Sequence, residues 1–291
     1  MTLLFKRLSL FSLLGFVYFL TNLLINYYII NYAKPPIADS NILIMGDSHL
    51  QTALDPECFA SAQNICQGAE PIVVSYWKIK YLMYRIKFDT LILGFSYQNI
   101  SSYTEQRFSN DIISTELYKR IYAIERFDDL KRLNINYYKN FIIFFKNMCL
   151  FPKPNHTSFI GSYKGIESLY TNDTKTKIEE HFYKNKNEPY HLSYNSMNYL
   201  DSIVRLCEKN NKTVILVGAP LHKDYFNSIP NIFIVKYNAL FLKYTKSNIL
   251  FLNFNQFFDD DKLFYNADHL NLTGSQKFTN YFMGVLKTSK I

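Results

Sequence analysis

The sequence predicts an α/β protein with a mostly parallel sheet, because short apolar runs alternate with segments of helical spacing. Each run is four or five residues long and ends at polar or glycine residues, which is typical of a buried strand. In such folds the active site lies at the carboxyl ends of the strands. The five predicted strands are residues 41–45, 62–66, 90–94, 213–217 and 249–252.

Helical spacing of apolar residues fills the intervals between these strands. Pro71 fits the first turn of one helix, and Asn210 and Asn211 end another. The predicted helices cover residues 71–86, 193–209, 232–244 and 273–287.

Residues 100–190 interrupt this alternation. Residues 117–145 have helical spacing and many aromatic and basic side chains, whereas residues 152–190 are polar and loop-like. We therefore predict one large domain over residues 37–291, with a mostly helical insertion or lid at about 100–190.

The N-terminal region predicts a membrane anchor. Residues 8–33 carry no charge, and a helix of that length would extend roughly 39 Å, which is enough to cross the hydrocarbon core. Lys6 and Arg7 precede this run, which favours a cytoplasmic N-terminus. A cleaved signal peptide would have a shorter apolar segment and a small-x-small cleavage site, so an uncleaved anchor is favoured.

Residues 1–36 thus comprise a cytoplasmic tip, a transmembrane signal anchor and a linker that ends in Pro35-Pro36. Asn22 and Asn26 are weakly unfavourable within a span. They are interpreted either as tolerated there or as facing a partner helix.

Charge and cysteine patterns exclude some functions. The formal net charge is +8, but the basic residues are scattered among acidic ones, whereas a nucleic-acid site would need a basic cluster. The four cysteines form no Cys-x-x-Cys motif, and no His/Cys cluster indicates a metal. Cys58 and Cys66 are close enough in sequence to pair, and the sequence leaves their state open.

Two distant segments carry the candidate chemistry. Gly46-Asp47-Ser48 follows the first predicted strand, and Asp268-His269 precedes the last predicted helix. A serine hydroxyl needs a nearby base to become a nucleophile, and histidine is the usual one. At a strand-to-helix turn, Ser48 would also lie near backbone N–H groups that stabilise an oxyanion. Taken alone, each segment could be only a helix cap or a turn.

Together, Gly46-Asp47-Ser48-His49 and the segment from Asp268-His269 to Gly274 resemble the SGNH (GDSL-like) hydrolases, over residues of about 41–100 and 195–285. The membrane-anchored cell-envelope branch is the most similar. It is related to proteins of teichoic-acid D-alanyl transfer and of polysaccharide or peptidoglycan O-acetylation. The resemblance implies a flavodoxin-like three-layer sandwich around a five-stranded parallel sheet.

The resemblance also implies roles for individual residues. Ser48 corresponds to the nucleophile and one oxyanion donor, and Gly68 to a second donor. A third donor, an asparagine side chain, corresponds to Asn99, although Gln98 or Ser96 could serve instead because the usual motif is absent. Asp47, His49 and His222 are candidates for contacting substrate; His49 could equally contact its own backbone, and His222 could be only a surface loop histidine.

The position three residues before His269 departs from the family. The family has an acid there, and this chain has Asn266. Asn266 could orient the imidazole as the asparagine does in Cys-His-Asn enzymes. Asp268 could replace the acid, or catalysis could be lost.

We therefore expect a bacterial inner-membrane protein with one span and a periplasmic domain. The expected activity is ester hydrolysis or O-acyl transfer on a cell-envelope polysaccharide or other acylated glycan, without a metal or organic cofactor. A membrane acyl-donor protein is an expected partner, and nucleic acid is not. The alternatives are an inactive SGNH-fold scaffold or glycan-binding protein, and a structural membrane protein with a chance motif.

Overall fold

The computed structural model describes residues 2–131, 133–185, 188–246 and 249–288. The chain divides into two compact units: Met1–Pro36 with Arg107–Phe159, and Ile37–Gln106 with Ile160–Ile291. We call them the helical unit and the sheet unit.

Short strands carry the framework of the sheet unit. In the described residues they are β1 (Ile42–Met45), β2 (Ala62–Asn64), β3 (Thr90–Gly94), β4 (Tyr183–Asn185), β5 (Glu188–Pro189), β6 (Thr213–Gly218), β7 (Leu250–Asn253), β8 (Phe264–Asn266) and β9 (His269–Leu270).

Five of them form one parallel sheet in the order β2-β1-β3-β6-β7. This confirms the predicted α/β fold with a five-stranded parallel sheet, in the strand order of flavodoxin-like proteins. The chain changes direction across the sheet between β1 and β3, and ligands of such folds bind outside the carboxyl ends at that point. The segment Gly46-Asp47-Ser48 leaves β1 there.

Helices cover both faces of the sheet. On one face of the sheet, Ile44, Ile92 and Ile215 come from three neighbouring strands. They pack in one core with Phe278 and Phe282 of the C-terminal helix. Their neighbours in the strands point the other way, and Leu43, Leu91 and Leu216 are equally inaccessible to solvent. A sheet buried on both faces requires continuous apolar strands, which explains the sequence pattern.

The described helices are α1 (Thr2–Tyr32), α2 (Ser48–Ala53), α3 (Ile72–Leu82), α4 (Tyr103–Gln106), α5 (Asp111–Ile121), α6 (Phe127–Leu130), α7 (Tyr137–Met148), α8 (Thr174–Phe182), α9 (Tyr194–Lys209), α10 (Lys223–Ser228), α11 (Asn231–Lys246) and α12 (Leu272–Thr288).

The region between β3 and α9 is more structured than its sequence predicts. The helical segment of 117–145 is divided among α5, α6 and α7, because Asn136 starts a new helix by accepting a hydrogen bond from Lys139 N–H at 3.0 Å. The polar stretch of 152–190 contains α8 and the β4–β5 pair. Only three side chains of α8 are buried, namely Ile178, His181 and Phe182, so its apolar pattern is weak.

The helical unit contains α1 together with α5, α6 and α7. Of the helices that the structure describes, α1 alone is long and apolar enough to cross a membrane. Cys58, Cys66, Cys149 and Cys207 are all free thiols, which resolves the open question about Cys58 and Cys66.

Candidate active site

A glycine positions the turn after β1. Gly46 has a φ of +143°, and a Cβ at this position would lie 3.1 Å from the Gly94 backbone at the end of β3. The two strand ends therefore approach more closely than a side chain would allow. Asp47 caps α2 by accepting a hydrogen bond from His49 N–H at 3.0 Å. Half-buried Ser48 is the first residue of α2.

The segment after β3 holds the Asp47 carboxylate. Its Oδ2 accepts hydrogen bonds from Gln98 Nε2 at 2.9 Å and from Asn99 Nδ2 at 3.0 Å. Asn99 Oδ1 in turn accepts from Ser96 N–H at 2.7 Å. The amide of Asn99 thus ties the two strand-end turns together. One of the two N–H groups of Asn99 Nδ2 is used by the Asp47 carboxylate, and the predicted part of Asn99 in an oxyanion hole stays a prediction.

Gly68 lies in the turn that follows β2. Gln67 N–H donates to Gly46 O at 3.1 Å, so this turn runs beside the segment that carries Ser48. The neighbouring Ala69 has a φ of 62°, which only tight turns impose on a residue with a side chain. The predicted oxyanion donors Ser48 and Gly68 therefore come from adjacent turns.

His269 lies on β9, opposite Asn266 on β8. Its Nδ1 is 3.0 Å from Asn266 Oδ1. An amide oxygen can only accept, so Nδ1 carries a proton, and in the neutral ring the lone pair is then on Nε2. The buried Nε2 has no hydrogen-bond partner in the part of the chain that the structure describes. The Tyr265 ring stacks on the imidazole with centroids 5.3 Å apart, which fixes the ring plane.

Asn266 is itself held in place. Its Nδ2 donates to Asp173 Oδ2 at 3.3 Å, and Asp173 Oδ1 accepts from Ala267 N–H at 3.0 Å. This fixes which way the amide points, so its oxygen faces His269. Asp173 precedes α8, in a stretch whose sequence indicated only a polar loop.

Asp268 lies between two imidazoles. Its Oδ1 is 2.8 Å from His269 Nδ1, and its Oδ2 is 3.3 Å from His49 Nε2. Oδ1 has no aligned hydrogen bond from the described residues, so the directed bond of His269 goes to Asn266 while Asp268 supplies charge. Burial raises the pKa of Asp268, but the contacts with His269 and His49 outweigh it and hold that pKa well below its ordinary value.

His49 joins both halves of the site. Its Nδ1 is 3.1 Å from Ser96 Oγ, and its ring meets the His269 ring edge-on with centroids 5.0 Å apart. Burial lowers the pKa of His49, but the Asp47 and Asp268 carboxylates raise it above its ordinary value overall. His49 follows Ser48 directly and α2 packs against β9, so the helix that carries the candidate nucleophile lies beside the strand that carries the candidate base.

His222 makes different contacts from those of His269 and His49. It caps α10: Asp224 N–H donates to His222 Nδ1 at 3.3 Å, and His222 Nε2 lies 3.0 Å from Asp261 Oδ1. Tyr170 stacks on the ring with centroids 4.5 Å apart. His222 N–H donates to Ala267 O at 3.1 Å, so this loop supports the turn that carries His269. Both ring nitrogens are engaged, although the sequence suggested that His222 contacts substrate.

Two side chains that the sequence did not single out act on this site. Besides Asp173, the ammonium group of Lys177 on α8 interacts with the Asp268 carboxylate. Burial lowers the pKa of Lys177, but Asp268, Glu180 and Asp173 raise it overall. The spacing of Asp173 and Lys177, four residues apart, would have indicated one helical face if α8 had been recognised.

The same cluster could receive a cation. His49, Asp268 and His269 offer ligand atoms that all lie within 4.8 Å of one another, and two imidazoles with a carboxylate are ligands that Zn²⁺ accepts. A metal bound through His269 Nδ1 would displace the hydrogen bond that this nitrogen now makes to Asn266.

No protein-family model matches the chain, and no curated protein matches it. Among solved structures, the chain is similar to "a putative platelet activating factor" from Streptococcus pneumonia, at 10% identity and a TM-score of 0.45 over 97% of this chain and 98% of that one.

It is also similar to "a putative acylhydrolase" from Bacteroides fragilis, at 11% identity and a TM-score of 0.44 over 90% of this chain and 95% of that one. Such low values assign neither a family nor a function to this chain.

Proposed function

We propose that the protein is a serine-dependent ester hydrolase or O-acyl transferase that acts on a cell-envelope glycan. The observation that carries the proposal is the state of His269: its Nδ1 is anchored, and its buried Nε2 has no partner in the described residues. A general base needs this arrangement, because the lone pair must be free while the other nitrogen fixes the ring.

In the first half of the proposed reaction, Ser48 Oγ attacks the carbonyl carbon of the ester. His269 Nε2 takes the hydroxyl proton, and the carbonyl π electrons move to the oxygen. The resulting oxyanion accepts hydrogen bonds from the backbone N–H groups of Ser48 and Gly68. Buried Asp268 stabilises the imidazolium that forms at its 2.8 Å contact.

Collapse of the tetrahedral intermediate breaks the ester C–O bond. His269 gives its proton to the leaving alcohol, and the acyl group remains on Ser48. Water completes hydrolysis, and a glycan hydroxyl completes transfer. In either case His269 deprotonates the acceptor and then returns the proton to Ser48 Oγ.

The chemistry of the site supports an uncharged carbonyl rather than an anionic group. Asp47 and Asp268 are both buried carboxylates in it, and they repel an anion at short range. Asp47 and His49 flank Ser48 in the chain, and Gln98 lies within hydrogen-bond distance of both. These three are the proposed contacts for the acyl group or its alcohol.

A membrane anchor supports a transferase in particular. If α1 spans the inner membrane of a bacterium with the sheet unit in the periplasm, it keeps the site at high effective concentration near a membrane acyl-donor protein. Lys6 and Arg7 at the start of α1 favour that orientation.

The test is labelling of the full-length detergent-solubilised protein with a fluorophosphonate, together with hydrolysis of an aryl acetate. We expect both signals in wild type and their loss in Ser48→Ala. The matched control is Ser202→Ala, because Ser202 lies on α9 and donates only to Asn198 O, at 2.8 Å. If Ser48→Ala labels and hydrolyses like wild type, the serine mechanism is wrong.

A non-catalytic glycan-binding scaffold is the alternative, and one observation favours it: an amide, Asn266, accepts the directed hydrogen bond of His269 where the SGNH family has an acid. It predicts no labelling of wild type and glycan binding that survives Ser48→Ala. Binding of acetylated and deacetylated envelope polysaccharide by both proteins decides between the two functions.

A further inference from the structure

Two amide side chains of the apolar helix α1 are buried. Asn22 and Asn26 are 4% and 0% exposed, whereas most of the large apolar side chains around them face outward. Asn22 Nδ2 donates to Leu150 O at 3.1 Å. Asn26 Nδ2 donates to Met148 O at 2.9 Å and to Phe151 O at 2.8 Å. Thus both amides bind the turn that follows α7.

The contacts of Asn26 use its whole amide. Besides the two donated bonds, its Oδ1 accepts from Lys153 N–H at 2.8 Å and lies 3.0 Å from His156 Nε2. About two turns before Asn26 along α1, the Tyr18 hydroxyl donates to Leu150 O at 2.6 Å. The carbonyl groups freed where α7 ends are therefore satisfied by side chains of α1.

In water, the last carbonyl groups of a helix are readily hydrated. In a bilayer they must be satisfied by protein, because irregular backbone is tolerated at membrane depth only when its polar groups have partners. The donors on α1 thus provide the partners that this turn would need at membrane depth.

The outward face of α7 is apolar. Tyr138 is 75% exposed and Phe141 60%, and Phe151 beyond the helix is 66% exposed. Phe145 extends this face and its ring centroid lies 5.2 Å from that of Phe19 on α1. The face is therefore continuous with the apolar surface of α1, and a contiguous exposed patch of this kind marks an interaction surface.

The charges of α7 suit an anionic lipid surface. The helix carries Lys139 and Lys146 and no carboxylate, and Lys146 is exposed. An interfacial helix has this composition: aromatic side chains enter the boundary between headgroups and acyl chains, and lysines extend to the phosphates.

The position of Asn22 along α1 indicates how deep the turn after α7 would lie in a bilayer. From Arg7 to Asn22 is 22 − 7 = 15 residues, or roughly 22 Å of helix. If Arg7 marks the cytoplasmic edge of a hydrocarbon core of about 30 Å, Asn22 and the turn bound to it fall inside the opposite leaflet.

We propose that α7 and the turn after it, residues 137–151, are embedded in the periplasmic leaflet of an anionic bilayer beside α1, with Tyr138, Phe141 and Phe151 in contact with lipid. This inference rests on the proposed membrane anchor and not on ester chemistry. In this arrangement the helical unit contacts the lipid through two elements, α1 and α7.

The test places a tryptophan on this face. The full-length Phe141→Trp protein is reconstituted in vesicles of phosphatidylethanolamine and phosphatidylglycerol, with or without bromine on the acyl chains. We expect brominated lipid to quench the added indole by more than about half, since it would lie at the acyl boundary. The wild type, whose single tryptophan Trp77 is 1% exposed in the sheet unit, gives the background.

The matched control is Asp128→Trp, because the Asp128 side chain is 91% exposed in the same unit and carries a charge that anionic lipid repels. We expect no quenching there. Equal quenching of both variants, or none in Phe141→Trp, overturns the proposal. Flotation after an alkaline carbonate wash reports the α1 anchor separately, and aryl acetate hydrolysis of the same vesicles reports the proposed chemistry.

Discussion

Two loops at the carboxyl ends of the sheet each carry a buried histidine beside a carboxylate, and their ring nitrogens are used differently. His269 leaves Nε2 without a partner in the described residues and binds Asn266 through Nδ1. His222 engages both nitrogens, one with the α10 backbone and one with Asp261. Burial and a nearby carboxylate are common to both histidines, so they do not identify a catalytic base. The proposed mechanism also needs a ring nitrogen that is free to take a proton, and His269 has one.

The largest expected difference comes from the same substitution at both histidines. His269→Gln should lower kcat for an aryl acetate by about 10³–10⁴-fold, because proton transfer from Ser48 is lost. His222→Gln should lower it by less than about tenfold, since His222 supports the turn only through its loop. Steady-state kinetics of the two purified variants make the comparison. A loss at His222 as large as that at His269 would contradict the assignment of the base.

The next largest difference in kcat is expected between substitutions of the two carboxylates that contact these histidines. Asp268→Asn should lower kcat by about 10²–10⁴-fold, because the imidazolium in the transition state loses its buried counter-charge. Asp261→Asn should change kcat by less than about fivefold, since a half-exposed ion pair contributes little. Both changes are nearly isosteric, so thermal unfolding of each variant serves as the control. Similar kinetic losses in the two variants would show that Asp268 acts only on the fold.

Asn266→Ala should have an intermediate effect, a loss of about 10–100-fold in kcat with little change in KM, because the imidazole keeps its charge partner and loses its orientation. Asp173→Asn also tests whether the orientation of His269 matters, because it weakens the hydrogen bond that holds the Asn266 amide. Measuring kcat and KM for both variants checks it. Full activity in Asn266→Ala would leave Asp268 as the residue that orients His269.

The sheet and the β1 turn were predictable because their signals are local. Four apolar residues followed by Gly46 favour a strand and a tight turn, and the same holds for the run that ends at Gly94. Candidate residues Ser48 and His269 follow from such turns and from a resemblance confined to the same segments.

The partners of Asn266 and Asp268 were not predictable, because they come from distant parts of the chain. Asp173 precedes α8, which has only three buried residues in a polar sequence. No apolar pattern therefore indicated this helix. His49 and Asp268 are 219 positions apart, and only the fold brings them together. The burial of Asn22 and Asn26 likewise depends on backbone carbonyl groups beyond α7, which a sequence pattern does not reveal.

The smallest expected effect is the change of thermal stability with pH. It again distinguishes Asp268 from Asp261, because Asp268 also contacts a second histidine, His49. The folded-state pKa of His49 lies above its ordinary value of 6.5. Its protonated ring therefore stabilises the fold, fully below about pH 6.5, and that contribution is lost as pH rises through the raised pKa.

The pKa of Asp268 is lowered, so its contribution is present above its ordinary value and is lost only as pH falls towards its folded-state pKa. Of these two contributions, only that of His49 changes between about pH 6 and about pH 9. We therefore expect the wild-type Tm to fall over this range, and to fall less in His49→Gln, as measured by circular dichroism. An identical fall in both proteins would show that the Asp268–His49 contact carries no charge in the folded state, and Asp268 would then act on His269 alone.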